Sequence, residues 1–164
     1  AGEIGHVRIV EGGELCLCGN YGCLETVVSR QALLTKAREI AATNPDSLLH
    51  QIAKSPDEID STDVVLQAFE AGDEAIRAVI NDMGRHLGLA VANLIGILNI
   101  KRILVAGSMS RFGDALLLPM KEEILRSIHS RLSEHTEVQL ASLGRNIVIQ
   151  GAASLVLSYE LGLS

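Results

Sequence analysis

At 164 residues the chain has the size of one ordinary domain, and with a net charge of −6 and its 14 Lys and Arg spread out rather than clustered it lacks the electrostatic footprint of a nucleic-acid binder. Its longest apolar stretch, Leu87 to Ile100, is interrupted by Asn93 and Asn99. It falls short of the roughly 20 residues a membrane span requires, so it reads as a buried helix and no membrane partner is expected.

No secretory signal opens the sequence, and Ala1-Gly2 lacks an initiating methionine and runs directly into a motif, which reads as a fragment of a longer protein. His6 to Val10 is β-rich with weak alternation and predicts a short strand entering a glycine-rich loop. That loop holds all three cysteines of the chain, Cys16, Cys18 and Cys23, with His6 upstream. Three thiolates and one imidazole are the closed Cys3His set that Zn2+ takes in a structural site, with no position left for a reactive water. A disulfide plus a spare thiol is the alternative, but Cys16 and Cys18 are too close in sequence for an unstrained bridge. Gly12, Gly13, Gly19 and Gly22 supply the turns by which a short loop wraps an ion. Cysteines given over to a metal suit a reducing, cytoplasmic setting.

From Cys23 to about Ala42 apolar residues recur at helical spacing, ended by Asn44-Pro45. Two shorter helices are predicted over Asp46 to Lys54 and Ser61 to Ala71, with Ser61 or Thr62 placed to cap the second. Asp73 is positioned to cap a long helix to about Leu98, along which Gly84, Gly88, Ala92 and Gly96 form a row that admits a second backbone closely. Lys101 to Ala106 predicts a short buried strand, residues 107 to 110 a turn, Asp114 to about Leu132 a helix, Glu137 to Ala141 a strand, and Gly151 to Leu161 a last helix. This order implies an α/β layered domain with parallel strand pairing.

Gly2-Glu3-Ile4-Gly5-His6, followed by Cys16-x-Cys18-Gly19-x-x-Gly22-Cys23-Leu24-Glu25, resembles the paired signature of the ROK family of sugar-responsive repressors and sugar kinases. The resemblance continues through Asn99 to Gly107 and Gly151-Ala152-Ala153. It implies the C-terminal lobe of an actin-like, ribonuclease H-like fold. Residues 1–25 would be a zinc- and sugar-binding loop, 26–72 a helical insertion and 73–164 an α/β core, with the N-terminal lobe absent. It also implies that His6 both ligates zinc and faces the sugar, while Glu3 and Glu25 accept hydrogen bonds from sugar hydroxyls. Ionised carboxylates suit that role because they only accept, and each such bond is charge-assisted. A histidine with one nitrogen on the metal keeps the other protonated as a donor of set direction. Otherwise Glu3 would be a solvated acid and Glu25 a carboxylate offsetting a helix dipole.

Two functions divide the family. One is a regulator whose effector is a sugar or sugar derivative, whose operator DNA is bound through a missing N-terminal domain, and which assembles as a homodimer or homotetramer. The other is an ATP-dependent sugar kinase. Kinases of the family usually carry Gly-Gly after the strand matching Ile103 to Val105, where this chain has Ala106-Gly107-Ser108, and tend to alanine where Thr26 sits. Both differences point to the regulator. A zinc-stabilised interaction module would leave Glu3, His6 and Glu25 without a common purpose.

Overall fold

The computed structural model describes residues 2–129, 131, 135–141 and 147–163. Seven helices are described: α1 (Leu24–Val27), α2 (Arg30–Thr43), α3 (Leu49–Ile52), α4 (Thr62–Glu70), α5 (Glu74–Leu98), α6 (Asp114–Ser127) and α7 (Ile147–Glu160). Strands β1 (Arg102–Val105) and β2 (Glu137–Leu140) flank α6 in sequence.

The expected strand at His6 to Val10 is not formed. Ile4–His6 is a single 3-10 turn, and the backbone beyond it makes only isolated antiparallel bridges, Arg8 to Cys23 and Leu15 to Tyr21. Val10 is instead occupied by the loop, where its N–H and that of Ile9 both donate to the Gly22 carbonyl. The helix expected from Cys23 to Ala42 is broken after Val27, because the Ser29 hydroxyl accepts from the Ala32 N–H at 3.0 Å and restarts the chain as α2. A serine side chain that caps competes with continuing the helix. The helix expected over Asp46 to Lys54 contracts to α3. Ser61 does stand at the N-cap of α4, but its side chain makes no capping bond.

Helix α5 is the axis of the molecule. Asp73 caps it as expected, accepting from the Ile76 N–H at 3.0 Å, and also accepts from the Ser47 hydroxyl and the Leu48 N–H. Asn99 ends it in the left-handed conformation, φ 49°, which asparagine tolerates at this position. The first half of α5 contributes Ile76, Ile80 and Met83 to a core shared with Leu33, Leu49, Ile59 and Val65 from the preceding segments, joined by Phe112 and Leu116. Its second half joins Met120, Ile124 and Val138 in a second core under the sheet. Along the junction the row of small residues meets α6: Gly84 faces the Leu116 carbonyl and Pro119, and Gly88 faces the Met120 carbonyl.

Strands β1 and β2 pair in parallel, Ile103 opposite Val138 and Val105 opposite Leu140. The expectation of a parallel pair holds; that of a buried strand does not, since alternate residues of β1 face outward and Leu104 is 59 % exposed. The apolar end of α5 is open as well, with Ile97 79 % exposed. Helix α6 stops at Ser127, short of the expected end at Leu132, which lies outside the described residues. Helix α7 begins ahead of the expected Gly151, and its apolar residues Ile149, Leu155, Val156, Leu157 and Tyr159 are all exposed. Among the described residues no helix is long and apolar enough to cross a membrane.

Candidate metal and sugar site

The amino-terminal loop closes on itself through backbone hydrogen bonds. Leu24 N–H donates to the Val7 carbonyl at 2.9 Å, Gly22 N–H to Glu14 at 2.8 Å, and Cys16 N–H to Asn20 at 2.7 Å. Gly22 adopts φ 71°, and a side chain there would meet the Val10 carbonyl at 1.8 Å, so only glycine lets the two arms cross.

This folding gathers the four expected ligands. One ligand atom from each of His6, Cys16, Cys18 and Cys23 can be chosen so that all lie within 4.8 Å of one another. The Nδ1 atom of His6 stands 3.6 Å from Cys16 Sγ, and Cys18 Sγ stands 3.6 Å from Cys23 Sγ. Tetrahedral Zn2+ with bonds of about 2.3 Å to sulfur needs ligand separations of about 3.8 Å, so the donor set fits that ion in number and chemistry, and the two 3.6 Å pairs stand near the spacing it requires. The three cysteines are free thiols, not bridged.

Their surroundings differ. The Cys18 thiol is lowered to about 7, chiefly by a hydrogen bond from the Asn20 backbone N–H, against the opposing effect of burial. Burial first, and then the neighbouring Cys18 and Cys16, push the Cys23 thiol up to about 12. The hydroxyl of Thr26 donates to the Cys23 carbonyl at 2.8 Å, fixing the entry to α1.

Glu3 and Glu25 flank the same imidazole from its two nitrogens. Glu3 Oε2 lies 3.4 Å from His6 Nε2, across the single 3-10 turn, and Glu25 Oε2 lies 3.5 Å from Nδ1 and 3.9 Å from Cys16 Sγ. Glu25 reaches there from the first turn of α1. All three expected sugar-contact residues are therefore adjacent, and the imidazole that meets the cysteines with one nitrogen meets Glu3 with the other. They stand on an open surface: the Glu3 side chain is 74 % exposed. Glu25 and Cys16 also border a cleft of about 200 Å³, lined further by Glu14, Gln31 and Lys36, which neither Glu3 nor His6 reaches. Asn20, which is not among the residues expected from the sequence, brings its side-chain amide to 3.6 Å from Cys18 Sγ. Its signal is an amide donor two residues after an expected thiol ligand.

Comparison with known proteins places these residues in a family. The chain is 34 % identical to a glucokinase of Halalkalibacterium halodurans over 98 % of its own length and 48 % of that protein. It is 30 % identical to the DNA-binding transcriptional repressor Mlc of Escherichia coli over 92 % of its length and 36 % of the repressor. Among solved structures, a ROK family glucokinase from Streptomyces griseus, in complex with glucose and AMPPNP, superposes with a TM-score of 0.82 at 30 % identity, covering 94 % of this chain and 51 % of the other. The chain thus spans about half the length, or less, of the proteins it matches. Residues 1–159 match the ROK family along almost the whole sequence, and the chain belongs to that family.

Proposed function

We propose that this chain is the C-terminal lobe of a sugar-responsive transcriptional regulator, binding a sugar or sugar derivative beside a structural zinc ion. The observation that supports it is the meeting of two carboxylates and the metal-facing imidazole at one point: Glu3 and Glu25 within 3.5 Å of His6, and His6 within 3.6 Å of Cys16. His6, Cys16, Cys18 and Cys23 would hold the zinc, which would supply a fixed anchor for the loop. Glu3 and Glu25 would accept hydrogen bonds from adjacent sugar hydroxyls, and His6 Nε2 would donate one.

The openness of the site fits half of a pocket whose other wall belongs to a second lobe. The exposed α7 and the outer face of β1 fit the same arrangement, since a helix that is apolar on several faces is ordinarily enclosed. Sugar would draw the lobes together, to the extent that these three residues contact it better in the closed arrangement. In a cytoplasmic dimer or tetramer, that closure would set the spacing of DNA-binding domains carried elsewhere in the protein.

The second reading is the C-terminal lobe of an ATP-dependent sugar kinase, favoured by the likeness to glucokinases. The regulator is preferred on Ala106, which puts a methyl group where the family's kinases usually carry the first glycine of a pair beside the nucleotide. In a reporter assay with the full-length protein, Glu25→Gln should abolish the response to the inducing sugar while repression persists. An unchanged response would refute the sugar assignment, and sugar-dependent ATP turnover by the wild type would decide for the kinase.

A further inference from the structure

The ligands of the proposed zinc site are unequally protected. Cys16 and Cys23 are buried, whereas Cys18 is exposed, so water reaches its sulfur and competes for the lone pairs that would bind metal. Besides Cys23, Asn20 meets this sulfur. Its side-chain amide lies 3.6 Å from Cys18 Sγ and its backbone N–H is a second donor to the same atom. Its carbonyl accepts the Cys16 N–H at 2.7 Å, while the Gly19 N–H closes back on the Cys16 carbonyl at 2.9 Å in a turn with φ 88°. One residue thereby fixes the spacing of Cys16 and Cys18 through its backbone and aims two donors at Cys18.

The electrostatics favour donors at this place. Three thiolates and a neutral imidazole around a dication leave one excess negative charge, and in this loop it is most exposed at Cys18. Hydrogen bonds from N–H groups to a ligating sulfur disperse that charge and hold the lone pair in direction, which is how groups behind the ligands tune a metal site.

We propose that Asn20 is a positioning residue of the zinc site, its side-chain amide orienting the Cys18 thiolate and shielding it from solvent and electrophiles. The inference rests on the zinc reading. Asn20→Asp keeps the size and turn-forming character of asparagine, removes the donor and adds a like charge, whereas Asn20→Ser keeps a hydroxyl donor.

The test uses full-length, zinc-loaded protein, with zinc affinity measured by competition against a chromophoric chelator and Cys18 alkylation by iodoacetamide followed by mass spectrometry. Asn20→Asp is expected to lose about 10- to 100-fold in zinc affinity, the usual effect of removing such a partner, and to alkylate faster at Cys18. Asn20→Ser should lie nearer the wild type in both, with far-UV circular dichroism unchanged in each variant. Equal losses in the two variants, or wild-type affinity and reactivity in Asn20→Asp, would overturn the role of the amide. Wild-type protein that takes up no zinc would instead remove the metal reading on which it stands.

Discussion

Replacing glycine by alanine at two places along α5 should shift stability in opposite directions. A Cβ on Gly88 would lie 2.5 Å from the Met120 carbonyl oxygen and 2.8 Å from Glu123 Cβ, where ordinary contacts begin at 3.4 Å. Helix α6 would have to retreat by most of an ångström, and the oxygen belongs to its backbone, so no side-chain rotation relieves the clash. Overpacking of this kind costs about 1–3 kcal/mol, and here the upper end applies. Alanine returns about 1 kcal/mol of helix propensity, leaving a net loss of about 2 kcal/mol. For a protein of this size that is a fall in Tm of roughly 4–8 °C. At Gly96 the one neighbour among the described residues that a Cβ would meet is Ile128 Cγ2 at 3.9 Å, an ordinary contact. Gly96→Ala should therefore gain up to about 1 kcal/mol, since only the propensity remains. Thermal denaturation followed by circular dichroism on both variants reads the two signs. A Gly88→Ala protein as stable as the wild type would show that α5 and α6 do not approach as closely as described.

Acid stability should depend on Asp73, which is 3 % exposed. Burial alone would raise its carboxyl, but hydrogen bonds from Ser47 and from the Ile76 and Leu48 N–H groups outweigh it and hold the group below its ordinary value. A lowered folded-state value contributes stability that is present above the unfolded value of about 3.9 and is lost as pH falls through the folded one. Asp73→Ala should lower stability at neutral pH by about 2–4 kcal/mol, the loss of a helix cap plus stranded buried donors, and flatten the decline below pH 4 seen in urea titrations. Zinc uptake should release at least one proton, because Cys23, held up to about 12 in the metal-free loop, must ionise to ligate; a pH indicator in weakly buffered solution measures it. Cys18→Ser should lose stoichiometric zinc and weaken sugar affinity by calorimetry while the helical circular dichroism signal persists, since the fully buried residues of both cores lie outside the loop.

Features carried by short-range chemistry were legible in the chain itself. The spacing of Cys16, Cys18 and Cys23 pointed to thiols gathered around one centre, and the structure brings them with His6 within 4.8 Å of one another. Asp73 announced the start of α5, and the glycine row announced a close helix pair, because capping and the bare surface of glycine act locally or along one helix face. The parallel pairing of β1 and β2 followed from the order of elements. Tertiary structure alone decided what depends on distant partners. The loop takes its hydrogen bonds across from Gly22 and leaves no strand at His6 to Val10, and Ser29 splits a helix that hydrophobic spacing ran together. Periodicity shows that residues such as Leu104, Leu155 and Tyr159 are apolar, but whether water touches them depends on what packs opposite, and within this chain they are exposed. The placing of Glu3 and Glu25 on the two nitrogens of one imidazole likewise required the loop to close, since residues 3, 6 and 25 share a site only after the backbone has brought Cys23 back to Arg8.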